Sequence, residues 1–156
     1  MSSLPKRHEV PKEHQWRLED LFASQATWDE EYAEVKSKLG NLAQYQGKLG
    51  DAEMLKQCFA LEDEISLHTE RLYVYANMKH HENMADPTYQ ALSDKAKKLS
   101  VEVNEATSFI TPEVLSLSDE TLDAFIANPD LAPYKQTLRE MKRQKPHILS
   151  KTEEAL

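Results

Sequence analysis

A single cysteine, Cys58, excludes an internal disulfide and with it the stapled scaffolds typical of small secreted proteins. Cys58 sits between Leu55 and Phe59 on an apolar stripe and reads as a small core residue. Glycine is also scarce, at 3 positions in 156, which disfavours turn-rich β architectures. An excess of basic residues is missing: 19 Lys and Arg face 27 Asp and Glu, for a net charge of −8. A phosphate-binding face needs the opposite imbalance, so nucleic acid is not an expected partner. The short basic stretches (Lys95, Lys97 and Lys98; Arg139, Lys142, Arg143 and Lys145) read as solvated helix sides. No apolar run approaches the roughly 18 residues of a membrane span. Residues 1–8 carry no apolar run that would make a signal peptide. The expectation is a cytoplasmic protein with no membrane partner.

What is present is helix-forming. Hydrophobic residues make up 40% and charged residues 29%, and the abundance of Glu, Lys, Leu and Ala favours helix over sheet. Residues 1–15, with Pro5 and Pro11, read as an extended N-terminal arm. Trp16, Leu18, Leu21 and Phe22 would anchor one helical turn. Thr27 to Glu30 has the form of a capping box. Trp28, Tyr32, Val35 and Leu39 then recur at helical spacing, with Gly40 placed to end the helix.

Asp51 can cap a helix of roughly 30 residues, near the upper end for globular proteins. Its stripe runs through Leu55, Cys58, Leu61, Ile65, Leu72, Tyr75 and Ala76, and Pro87 is the first break. Asp86-Pro87 is an N-cap with proline at N1, opening a helix with Tyr89, Leu92, Ala96, Leu99, Val103 and Ala106 on one side. The short link makes these two helices antiparallel neighbours. A turn from Pro112 to Leu117 follows, then a helix capped by Ser118, then another from about Leu131 to Arg143, ended by Lys145-Pro146. The expected fold class is all-α: a helical bundle built on a long antiparallel hairpin, about 51–84 and 87–108, with shorter flanking helices.

The six histidines are the obvious candidates for chemistry. A zincin helix needs His-Glu-x-x-His, so that two His one turn apart share a face with the Glu as base. His81-Glu82 is followed by Ala85 in the second ligand position. His8-Glu9 is followed by Lys12, with Pro11 in between. Neither completes the pattern, and His80 and His81 read as surface residues where a helix ends. His68 reads as a solvated polar position one turn from Glu64 and Arg71. His147 could contact a neighbouring segment. Tyr75 and Tyr89 read as packing residues, and Tyr73, off the stripe, as a candidate for a partner or cleft. No catalytic, cofactor-binding or metal-binding residue is assigned within these 156 residues.

Ser150-Lys-Thr-Glu153-Glu154 is a further capping box, opening a helix too short to stand alone. This fits a short, frayed C-terminal helix or the front piece of a longer protein; on the second reading there is an arm over 1–15, a helical domain over 16–149, and a helix from 150–156 leading to an absent domain.

Two segments carry a family resemblance. Trp16-Arg-Leu18-Glu19-Asp20-Leu21-Phe22, followed by Trp28 opening a helix, resembles the N-terminal start of bacterial oligoendopeptidase F. So does Lys145-Pro146-His147-Ile148-Leu149-Ser150 followed by Glu153-Glu154, with Leu131-Ala-Pro-Tyr134 upstream. The resemblance runs from about residue 13 to the C-terminus. It implies membership of the thimet-oligopeptidase-like zinc metallopeptidases, all-helical enzymes that hold zinc through His-Glu-x-x-His plus a downstream Glu and cleave short peptides in an enclosed channel. In that case this chain is the N-terminal lid or substrate-access region. Its partners would be the catalytic domain of the same polypeptide and, for the parent, short peptides; the zinc would belong to the parent. The chain alone, lacking the motif, would be inactive, would bind no cofactor and would be prone to self-association. The rival reading is a complete stand-alone helical module for protein–protein interaction. A metalloenzyme built on His80, His81 and Glu82 is the least favoured.

Overall fold

The structure is a computed structural model, described here for residues 9–147. The described residues are helical, in six α-helices joined by short 3-10 turns: α1 (Gln25–Leu42), α2 (Ala52–Glu82), α3 (Pro87–Thr107), α4 (Ile110–Ser116), α5 (Asp119–Ala127) and α6 (Lys135–Gln144). Among them there is no strand. The all-α class and the α2–α3 hairpin agree with the sequence expectation to within a few residues at each end.

Local chemistry sets the helix ends. Asp51 Oδ1 accepts from the backbone N–H groups of Glu53 and Met54, both at 3.0 Å, satisfying donors that the first turn leaves open. Asp86 Oδ1 does the same for Thr88 at 2.8 Å, ahead of α3. Ser118 Oγ takes the N–H of Thr121 at 3.1 Å, ahead of α5. Several boundaries differ from the sequence reading, among them the expected turn from Pro112 to Leu117, which is instead the helix α4. The cap of α1 is Ser24, not Thr27: Ser24 Oγ accepts from Thr27 N–H at 3.3 Å while Thr27 Oγ1 accepts from Ser24 N–H at 3.2 Å. Gly40 lies within α1 rather than ending it, because the helix runs on to bury Leu42 completely. The left-handed glycine is Gly47, at φ 78°. The segment from Leu131 also starts as a 3-10 turn, Pro129–Tyr134, with Pro133 inside it, and becomes α-helical only at Lys135. The capping box at Ser150 lies outside the described residues.

The chain divides into two compact units. The first comprises the residues up to Gly40 and Glu64–Glu105, hence most of α1, the second part of α2, and most of α3. Its core is Trp28, Val35, Ile65, Leu72, Ala76, Leu92, Ala96 and Leu99. Trp28 Nε1 donates to the Leu72 carbonyl at 3.0 Å, and the Trp28 and Tyr32 rings stack at 5.3 Å. Lys95 of α3 lies over both rings, 5.0 and 4.3 Å from their centroids, and pairs with Asp29 at 2.7 Å. Leu18 and Phe22 are buried as expected, whereas Trp16 is exposed.

The second unit comprises Asn41–Asp63 and the residues from Ala106 onward. Leu49, Leu55, Cys58, Val114, Leu122, Leu131 and Leu138 are buried in it. The Glu113 carboxylate accepts from Gly47 N–H and Leu49 N–H, each at 2.8 Å, and so fixes the loop before α2 onto α4. Lys145 donates to the Leu117 carbonyl at 2.6 Å and to Asp119 at 2.8 Å, tying the end of α6 to the start of α5.

Candidate functional site

Among the described histidines, His68 has a structural role. His68 Nδ1 lies 2.8 Å from Glu31 Oε1; a carboxylate only accepts, so the ring donates. Arg71 approaches the same carboxylate at 3.2 Å, donates to the Leu21 carbonyl at 3.2 Å and lies over the Phe22 ring at 5.1 Å. His68 is therefore half of a tie between α2 and α1 rather than a merely solvated residue. The sequence reading missed it because Glu31 lies 37 positions away.

At the end of α2, the His80 and His81 rings are 5.8 Å apart, and Glu82 pairs with Lys79 at 3.8 Å. The buried His80 Nδ1 has no hydrogen-bond partner among the described residues. His147 is exposed, and His8 lies outside the described residues. Among the described residues no three His, Cys, Asp or Glu side chains converge as a metal-binding group. The ligands that zinc requires are thus not assembled by the described residues.

What the first unit does present is an open groove of about 430 Å³ along its α2–α3 hairpin. Antiparallel pairing builds it. Ser93 Oγ of α3 meets Asn77 Oδ1 of α2 at 3.1 Å, and the groove continues from there between Tyr73, Glu70, Thr69 and Ser66 on α2 and Ser100, Val103 and Asn104 on α3. Two of its hydroxyls are turned inward. Thr69 Oγ1 donates to the Ile65 carbonyl at 2.7 Å, and Ser100 Oγ to the Ala96 carbonyl at 3.2 Å. With these protons engaged in their own helices, the floor is mainly apolar.

Four large apolar side chains of α2 and α3 are exposed, and of these Tyr73 lines the groove. Leu67, Tyr73 and Val74 on α2 are 59%, 39% and 37% exposed, and Val101 on α3 is 65% exposed. Leu67 and Val74 are two turns apart on one side of α2, with the charged residues Glu70 and Arg71 between them. Glu70 has no hydrogen bond or ion pair among the described residues. Of the sequence candidates, only Tyr73 lines this groove.

Tyr75, in contrast, is buried, and burial pushes its phenol above the usual range. Cys58 is fully buried, and desolvation pushes its thiol up to about 11.

Comparison with known proteins gives these features a context. The family model described as Oligopeptidase F matches residues 113–156. The chain is 38% identical to the oligopeptidase PepF of Bacillus subtilis, over 99% of this chain and 23% of that protein. It is 32% identical to the group B oligopeptidase PepB of Streptococcus agalactiae, over 96% of this chain and 25% of that protein. The chain thus spans about a quarter of the curated relatives it matches. In structure it resembles the oligoendopeptidase-F of Enterococcus faecium, with a TM-score of 0.72 at 29% identity, covering 81% of this chain and 26% of that one. A Chlamydophila abortus peptidase structure shares the fold at a TM-score of 0.83 and 23% identity, covering 98% of this chain and 26% of that one.

Proposed function

We propose that this chain, which is oligoendopeptidase F-type sequence matching the family's N-terminal helical region, works as a lid and substrate-access domain for a zinc metalloendopeptidase that hydrolyses short peptides. The observation that carries the reading is the match itself: nearly the whole chain aligns at 38% identity, yet to only 23% of an oligopeptidase. In this reading residues 16–149 act as the domain, the catalytic machinery lies in other residues of such a peptidase, and zinc is held there.

The physical role is steric. A rigid helical wall over a cleft admits an extended peptide and excludes a folded protein, and it keeps bulk water from the reacting bond. Nothing in that role requires a nucleophile or a metal ligand from the wall. The helical scaffold is suited to it: α2 alone is 31 residues long, about 46 Å at 1.5 Å per residue.

The test is a chimera in which this chain replaces the matched segment of the Bacillus subtilis oligopeptidase. The expected result is hydrolysis of a quenched-fluorescence peptide with no cleavage of a folded protein. The same enzyme without the segment should lose that size discrimination or its activity. Unchanged rates and unchanged discrimination without the segment would sink the access role.

A further inference from the structure

We draw no further inference here: the strongest candidate, the side-chain cluster at the C-terminal end of α2 where the buried Nδ1 of His80 has no hydrogen-bond partner among the described residues and the His80 ring lies 5.8 Å from that of His81, carries nothing, because no third His, Cys, Asp or Glu of the described residues converges there as a metal-binding group and nothing in the structure shows what would meet that nitrogen.

Discussion

The indole of Trp28 donates to the backbone carbonyl of Leu72 at 3.0 Å, joining α1 to the middle of α2 across 44 positions of sequence. Both residues are fully buried. The bond does two things at once: it satisfies the indole N–H, which has no water to turn to, and it fixes the rotation of α1 so that Asp29 and Tyr32 meet Lys95. Trp28→Ala is expected to destabilise the chain by about 3–5 kcal/mol, the range for removing a large buried aromatic. Trp28→Phe should cost less, since it keeps most of the apolar volume and removes the donor. Urea unfolding followed by circular dichroism measures both. A Trp28→Phe loss as large as that of Trp28→Ala would mean that the hydrogen bond, not the packing, dominates.

In the second unit, the Glu113 carboxylate holds Gly47 and Leu49 through two backbone N–H groups. Glu113→Gln keeps the shape but leaves one oxygen to serve two donors. A loss of about 1–3 kcal/mol is expected, as for a partly buried group left unsatisfied. The specific signature is faster hydrogen exchange at the Gly47 and Leu49 amides, with the α6 amides unchanged. Gly47→Ala attacks the same loop through its backbone: at φ 78° a Cβ is strained even though there is open space around it, and a cost of about 1 kcal/mol is expected. If the Gly47 and Leu49 amides exchange at the wild-type rate in Glu113→Gln, the clamp is not what holds the loop.

Much of the helical framework was legible because it depends on neighbours in sequence. The Asp51, Asp86 and Ser118 caps, the proline at N1 of α3 and the periodicity of Leu92, Ala96, Leu99 and Val103 are all local signals, and each is found in place. The misses share one cause, tertiary packing. Gly40 has the form of a helix stop, but burying Leu42 two residues later outweighs the modest cost of a glycine inside a helix. Trp16 looks like an anchor by composition, yet Leu18 and Phe22 take the buried positions. The candidate groove was legible only in part. Tyr73 stood out by lying off its stripe, whereas which α3 residues, Ser100, Val103 and Asn104, share the groove with Glu70 is a product of the hairpin register.

Cys58 should be inert in the native chain. Full burial blocks the reagent, and a thiol pushed up to about 11 leaves little thiolate near neutral pH. Labelling with a disulfide reagent at pH 7.5 is expected to follow the rate of opening of the second unit rather than reagent concentration, and to accelerate sharply in urea. Rapid stoichiometric labelling in buffer would contradict the buried placement.

Glu62 offers a pH dependence with a definite sign. Burial, with a smaller contribution from neighbouring Asp63, raises its carboxyl above the ordinary 4.5. The folded state therefore binds this proton more tightly than the unfolded state does. A group raised in this way contributes stability that is fully present below the unfolded value and is lost as pH rises from about 4.5 through the folded value. At neutral pH the charged Glu62 works against folding, because nothing among the described residues donates a hydrogen bond to it. Glu62→Gln should accordingly raise the melting temperature at pH 7. The gain should shrink as pH falls and vanish once the wild-type carboxyl is protonated. Thermal melts of both proteins between pH 4 and pH 7 test the sign directly. A Glu62→Gln chain that is less stable at pH 7, or whose advantage grows toward pH 4, would show that the Glu62 carboxylate is stabilised by its surroundings rather than penalised by them.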